Sequence, residues 1–212
     1  MIICLPHSGT INSMCKKNKQ EGFISMKRLQ LLLKVSLAAM LIFFVCLPGF
    51  SYKVGGADLV KNGAGSRTKY MMKVYLATLY VPQELKGADA AQILEADKPM
   101  AIDMRITSGL ITRDKFVTSI AEAFDQSAKA GYPCPDKQNY INLFGNIAIA
   151  DGDTVSNRYD PARGLTVIFI PKGGQAKTLG TLKGLQTKKA FFGMFLSSKP
   201  IQDSLKKNLI GK

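Results

Sequence analysis

Residues 62–82, which read NGAGSRTKYMMKVYLATLYVP, determine the fold that we expect for this chain. Glycine adopts positive φ without steric cost, so the sequence predicts a tight turn at Gly63-Ala64-Gly65 that fixes the position of Arg67. The residues after this arginine are rich in Tyr, Val and Leu, which is typical of a β-strand, and Pro82 ends the pattern. We therefore expect one long strand, or a tight pair of strands, over residues 69–81, with the arginine at its start.

The first quarter of the sequence has the features of a secretory leader. A basic segment at 26–28 precedes the apolar run LQLLLKVSLAAMLIFFVCLPGFS, which ends in small residues at cleavage-like spacing. We expect residues 26–51 to be a signal peptide and residues 1–25 an upstream extension. The mature domain would then cover residues 52–212 of an exported, periplasmic protein. An uncleaved anchor is the alternative, because the apolar stretch 35–50 is long for a signal and slightly short for a membrane span.

Removal of the leader would leave a basic domain. Six of the 29 basic residues and one of the 15 acidic residues precede Tyr52, which leaves 23 and 14, a net charge near +9. The lysines are scattered along the chain and no nucleic-acid motif accompanies them, so we expect no nucleic-acid partner. Contact with an anionic membrane surface stays open.

The residue types left after position 51 restrict the chemistry. The mature chain has no histidine, so proton transfer near neutral pH would depend on a carboxylate, Lys, Tyr or water. Its single cysteine, Cys134, makes no internal disulfide, and without a histidine to activate it we expect a structural thiol. No cluster of His, Cys and carboxylates suggests a metal site, and we expect no cofactor.

Hydrophobic periodicity predicts strands and helices in one continuous domain. Thr112 is suited to cap a helix whose apolar stripe contains Phe116, Ile120 and Phe124. Strands that are joined by turns, with helices between them and at the end, indicate an α+β fold in which helices cover one face of an antiparallel sheet. The predicted strands are 100–106, 152–159, 165–170 and 176–182, and the predicted helices are 89–96, 112–129, 137–144, 188–196 and 202–209.

Two segments resemble a known family. GAGxR followed by KVYxAxLYV, together with KAFFGMFLSSKPIQDSLKKNLIG at 189–211, is similar to the chalcone isomerase-like family, and most closely to its bacterial secreted members. The resemblance covers residues from about 54 to the C-terminus. It implies an open-faced β-sandwich whose large sheet and helical layer enclose an apolar cleft.

The resemblance also implies where the site lies. The arginine of plant chalcone isomerases corresponds to Arg67, but the other positions of their catalytic set carry different residues. Here the strand threonine is replaced by Tyr75, with Thr78 nearby, the tyrosine by Thr112, the asparagine by Ser119, and the last Ser/Thr by Lys188, unless a one-residue slip aligns Thr187. We therefore do not expect this chain to cyclise a chalcone.

The residues that remain favour binding of a small apolar carboxylate such as a fatty acid. A guanidinium at the mouth of an apolar cleft holds a carboxylate with two parallel hydrogen bonds. Tyr70, Tyr75 or Tyr80 could add an O–H donor, although strand alternation places the last two on opposite faces unless a bulge intervenes.

Two other classes of function stay open, as does an ordinary structural interpretation. The chain could be an isomerase or lyase of a phenolic or enone ligand, in which Arg67 stabilises an oxyanion and Tyr75 donates a proton. It could instead be a protein-interaction module with a collapsed cleft. In the structural interpretation, Arg67 makes an ion pair at the sheet edge and the tyrosines are half-buried sheet aromatics.

Overall fold

The structure, a computed structural model, describes residues 52–69 and 71–212. The predicted extension and leader, residues 1–51, and Tyr70 lie outside the described residues. No helix in the described part of the chain is long and apolar enough to cross a membrane.

Seven antiparallel strands form one sheet in which the order of the strands follows the order of the sequence. The sequence predicted the last four within a few residues. The strands are β1 Tyr52–Val54, β2 Ala57–Lys69, β3 Met72–Pro82, β4 Met100–Ile106, β5 Thr154–Asp160, β6 Gly164–Ile170 and β7 Lys177–Leu182.

Five α-helices among the described residues cover one face of this sheet, which confirms the predicted α+β class. Thr112 caps the longest helix, and its hydroxyl accepts a hydrogen bond from the Lys115 N–H at 3.4 Å. The fourth helix starts three residues earlier than predicted because Gly184, with φ of +93°, provides its N-cap. The helices are α1 Ala90–Glu95, α2 Arg113–Lys129, α3 Lys137–Asn142, α4 Leu185–Leu196 and α5 Asp203–Leu209.

The core lies between the sheet and these helices. Ile102, Met104 and Ile106 of β4 are buried there, as the alternating pattern predicted, and Arg105 between them is exposed. Helix α4 is buried along most of its length from Thr187 onward, which identifies it as the central helix of the layer. The opposite sheet face carries a small cluster around Val54, Leu59 and Ala101 and no helix packs on it within the described residues, so the fold is open-faced.

The prediction of a turn at residues 63–65 is wrong. Gly63 and Gly65 lie inside β2, and neither has positive φ. Helix α5 crosses this part of the strand so closely that a Cβ on Gly63 would overlap the main-chain oxygen of Asn208, and a Cβ on Gly65 would lie 2.8 Å from the Asn208 Cβ. The two glycines therefore permit close approach of a helix rather than a reversal of the chain.

The same finding corrects the predicted strand at 69–81. Lys69 is the last residue of β2 and pairs with Met72, the first residue of β3. Met71, between these strands, has φ of +64°. The segment is thus a tight hairpin of two long strands, and the sequence predicted only its second strand.

A single methyl group tests the role of Gly63. We expect Gly63→Ala to destabilise the protein by about 1–3 kcal/mol, because the new Cβ forces α5 away from β2. Gly109→Ala is the matched control, since Gly109 has open space around its Cβ position and no positive φ. Urea unfolding of both variants measures the difference, and equal stability would show that α5 can shift without cost.

Candidate functional site

Arg67 lies opposite Tyr75 in the hairpin. Its Cα partner on β3 is Tyr75, which in turn pairs with Ile106 on β4. Directly paired residues of an antiparallel sheet present their side chains on the same face. Because Tyr75 and Ile106 belong to the main core, Arg67 also faces the helical layer. A register shift after Arg67 leaves Val74 without a Cα partner on β2, and both Val74 and Tyr75 reach the same cavity.

This cavity has a volume of about 180 Å³ and a wall that is partly apolar and partly polar. Its polar edge carries Arg67, Lys69 and Lys115 together with Ser119, Glu122 and Gln126. The predicted position Ser119 thus does lie in one cavity with Arg67 and Tyr75. Side chains from β3, α2, α4 and the segments before α2 and after α4 contribute to the apolar part, among them Val74, Ile111, Phe116, Ile120, Phe195 and Ile201.

Gln202 fixes the guanidinium of Arg67. Nη1 of Arg67 donates to the Gln202 side-chain oxygen at 3.1 Å and to the Thr68 carbonyl at 2.9 Å. The same glutamine oxygen accepts from the Thr68 N–H, and the glutamine amide donates to the Ser66 carbonyl at 3.2 Å. Gln202 stands immediately before α5, so the contact of this helix with β2 also sets the position of Arg67.

Arg67 retains donors for a ligand. Within residues 52–69 and 71–212, no carboxylate lies within ion-pair distance of it. Its two hydrogen bonds both use Nη1, so the N–H groups of Nε and Nη2 have no protein acceptor in this part of the chain. The interpretation of Arg67 as one half of a structural ion pair therefore lacks its partner here.

Tyr75 adds a neutral hydroxyl to the cavity wall. The side chain is 4% exposed, and its hydroxyl makes no hydrogen bond to another described residue. Burial raises the pKa of this phenol, while the positive charge of Arg67 opposes the shift. Tyr75 therefore stays protonated at physiological pH and can donate a hydrogen bond beside the guanidinium.

A second buried phenol lies near the first, at a position that no sequence motif indicated. Tyr140 of α3 donates to the Asn157 side-chain oxygen at 2.8 Å, and both residues are fully buried. Burial raises the pKa of Tyr140, with a further contribution from nearby Tyr75. Nδ2 of Asn157 has no partner among the described atoms. The available signal was a polar residue at an inward position of β5, between Val155 and Tyr159.

Three predicted site residues do not reach the cavity, and their assignment is corrected. Tyr80 lies on the opposite sheet face, where its ring stacks on Tyr52 with 4.2 Å between centroids. Thr112 is exposed and caps α2. Lys188 is buried on the other side of α4, against α1. The alternative position, Thr187, is also occupied structurally, since its hydroxyl donates to the Lys183 carbonyl at 3.0 Å.

Lys188 stabilises the end of helix α1. Its ammonium donates to the carbonyls of Ile93, Leu94 and Ala96 at 3.0, 2.7 and 2.8 Å, which are oxygens that the helix leaves unpaired at its C-terminus. Burial and the charge of Lys189 lower the pKa of Lys188 to about 7. The three acceptors oppose this shift, because only the protonated amine has three N–H groups to donate.

Neither a reactive thiol nor a metal site accompanies the cavity in the described chain. Cys134 is half-buried, and burial raises its pKa to about 11, so it carries little thiolate at neutral pH. No group of three His, Cys, Asp or Glu side chains is arranged to hold a metal ion within these residues.

Comparison with known proteins identifies a family and a similar fold. The model of a family described as chalcone isomerase-like matches residues 45–211. The crystal structure of a fatty-acid binding protein from Arabidopsis thaliana is similar to this fold, with a TM-score of 0.58 and 18% identity over 76% of this chain and 92% of that chain. No curated protein matches the sequence.

Substitution of Lys188 separates its structural role from a role in the cavity. We expect Lys188→Met to lower the free energy of unfolding by roughly 3 kcal/mol, because it leaves buried carbonyls of α1 without donors. Lys189→Met, which removes a partly exposed ion pair with Glu95, serves as the control and should cost less than about 1 kcal/mol. Thermal and urea unfolding measure both, and a Lys188→Met protein as stable as the control would contradict the capping role.

Proposed function

The chain belongs to the chalcone isomerase-like family, and on this premise we propose that it binds a small apolar carboxylate, such as a fatty acid, without catalysis. One observation carries the proposal: a guanidinium with unpaired N–H groups and a protonated phenol lie at the polar edge of a cavity whose remaining wall is apolar. That a protein of similar fold binds fatty acids supports this choice of ligand.

The contacts suggest how such a ligand is held. The carboxylate accepts two hydrogen bonds from Arg67 and one from Tyr75, and the hydrocarbon chain lies against the apolar residues of β3, α2 and α4. A charge-assisted hydrogen bond contributes about 1.5–3 kcal/mol, and each buried methylene adds about 0.8 kcal/mol. Affinity should therefore increase with chain length until the cavity is full.

A second cavity provides room for a longer chain. It has a volume of about 450 Å³ and shares Lys69, Val74, Ile111, Lys115 and Ser119 with the first cavity. Because five residues line both, the two spaces adjoin. Their volumes together fall within the ~300–1,000 Å³ that is usual for small-molecule sites. An open space of this size also argues against the interaction module with a collapsed cleft.

The isomerase alternative has less support in the contacts. Arg67 could stabilise an oxyanion and Tyr75 could donate a proton, but the cavity wall carries no histidine, and Thr112 and Lys188 serve as caps elsewhere. The raised pKa of Tyr75 opposes its use as a base.

We infer further that residues 26–51, which lie outside the described residues, export the domain to the periplasm. N-terminal sequencing of the mature protein tests this inference.

Replacement of Arg67 tests the carboxylate site. We expect Arg67→Ala to weaken fatty-acid binding about ten- to hundredfold, while the fatty alcohol of equal length changes little, because only the acid uses the charged hydrogen bonds. Arg67→Lys should restore only part of the affinity, since an ammonium lacks the two-pronged geometry. Calorimetric titration of each variant with an acid and its alcohol measures the difference.

The control for this titration is Arg105→Ala, which removes an exposed arginine from the adjacent region of the sheet. It should leave both affinities unchanged. Equal losses for acid and alcohol in Arg67→Ala, or no binding of either by the wild type, would contradict the proposed function.

A separate measurement tests the absence of catalysis. We expect chalcone cyclisation to stay near the uncatalysed rate, because each missing pre-placed donor removes on the order of 10²-fold in rate. Absorbance loss of a chalcone at neutral pH, with and without protein, measures this. Turnover that disappears in both Arg67→Ala and Tyr75→Phe would restore the isomerase interpretation.

A further inference from the structure

The most exposed large apolar side chains of the described chain lie at one end of the molecule. Met71 is 98% exposed, Leu110 58% and Met72 45%, and no other large apolar residue in the described ranges reaches a comparable exposure. Met72 and Leu110 both line the larger cavity of about 450 Å³, and Met71 adjoins Met72 at the end of the β2–β3 hairpin. We call Met71, Met72 and Leu110 the apolar tip.

The backbone at the apolar tip is unfavourable for the residue that it carries. Met71 has φ of +64°, a conformation that Gly or Asn adopts more readily, and its side chain projects into solvent. A methionine here gains nothing from the folded domain alone, since its side chain packs against almost nothing. Methionine is a flexible side chain that adapts to irregular apolar surroundings. The position is therefore suited to contact with something outside the domain.

Three lysines lie close to the apolar tip in the sequence or line the same cavity. Lys69 and Lys73 flank the two methionines in sequence, and Lys115 lines the same cavity as Leu110 and donates to its carbonyl at 3.0 Å. Two acids lie nearby: Glu122 pairs with Lys69 at 3.4 Å, and Asp114 pairs with Arg113 at 2.7 Å. Positive charge remains in excess, and neither Lys73 nor Lys115 has an acidic partner among the described residues.

This combination matches the interface of an anionic bilayer. Exposed apolar side chains enter the boundary between headgroups and acyl chains, and the lysines around them contact the negative headgroups. A specific protein interface usually buries a large surface, whereas the apolar tip consists of three side chains, two at the end of the β2–β3 hairpin and one in the segment between β4 and α2. The charge and the shape of the tip therefore favour a lipid surface.

The apolar tip is also the rim of the larger cavity. Met72 and Leu110 line the space of about 450 Å³, which adjoins the cavity that contains Arg67 and Tyr75. A molecule that enters between Met72 and Leu110 therefore passes along an apolar wall before it reaches the guanidinium. A lipid surface in contact with the rim would give an acyl chain a path that avoids water.

We propose that the apolar tip docks the domain on anionic phospholipid bilayers, with Met71, Met72 and Leu110 inserted and Lys69, Lys73 and Lys115 on the headgroups. Docking depends on the exposed tip and its charge, so it does not require that the cavity hold a fatty acid. Because the cavity opens at this tip, docking would place the entrance of the ligand site against the membrane.

Vesicle co-sedimentation of the mature protein, with its N-terminus established by sequencing, compares two lipid compositions, phosphatidylcholine alone and phosphatidylcholine with phosphatidylglycerol. We expect binding to the anionic vesicles that decreases with added salt. Met71→Ser should weaken it about tenfold, as expected from the loss of one inserted apolar side chain. Lys73→Glu should weaken it about tenfold or more on the anionic vesicles only, since it reverses one charge at the surface.

Two controls keep this test specific. Lys177→Glu makes the same charge change at an exposed position of the edge strand β7, four strands from β3, and should reduce binding much less than Lys73→Glu. Because Met71 is almost fully exposed, Met71→Ser should leave the unfolding transition unchanged. Fatty-acid titration of Met71→Ser in the absence of vesicles should match the wild type, which separates docking from ligand binding.

Three results would overturn the proposal. The first is absence of wild-type binding to anionic vesicles. The second is equal loss in Lys73→Glu and Lys177→Glu, which would indicate attraction by net charge without a defined docking surface. The third is a concentration-dependent dimer, seen by analytical ultracentrifugation, that Met71→Ser abolishes while vesicle binding is unaffected. That result would show that a second copy of the chain covers the apolar tip.

Discussion

Helix α5 lies directly on strand β2 because Gly63 and Gly65 have no side chains, and the geometry of the cavity depends on this contact. The helix places Gln202 where it can bond to the main chain of Ser66 and Thr68 and to the guanidinium of Arg67. Asn62 strengthens the same contact, since its amide donates to the Leu209 carbonyl at 2.8 Å. The last helix of the chain thus positions an arginine that precedes it by more than 130 residues.

The tertiary origin of this contact explains what sequence reasoning missed. Alternation predicted β4 and placed Ile102 and Met104 in the core, and the Thr112 cap with the Phe116 stripe predicted α2, because these are local patterns. Glycine has two uses in a strand, a turn or the close approach of another segment. Local sequence does not distinguish them, because the approaching segment is distant in the chain. Gly63-Ala64-Gly65 therefore has the local pattern of a turn although it lies inside β2.

The candidate site was predicted only in part, because contacts between distant segments decide which side chains reach the cavity. Arg67, Tyr75 and Ser119 do line one cavity, whereas Thr112 and Lys188, which the same family resemblance suggested, do not. Tyr80 lies outside the cavity because strand alternation places it on the opposite face of the sheet. Lys188 lies outside it because its ammonium donates to carbonyls at the end of α1, a contact that no alignment of motifs reveals. Tyr140 and Asn157 were not predicted at all, because a buried hydrogen bond between a helix and a strand leaves almost no signal in either segment.

The electrostatics of the cavity favour a held anion over proton transfer. Burial raises the pKa of Tyr75, so its hydroxyl donates a hydrogen bond at any physiological pH but resists losing its proton. The arginine beside it keeps its charge under the same conditions. The described chain places no histidine near the cavity, so proton transfer there would depend on a carboxylate, a lysine, a tyrosine or water. Two donors that do not change protonation state suit a carboxylate that binds and leaves unchanged.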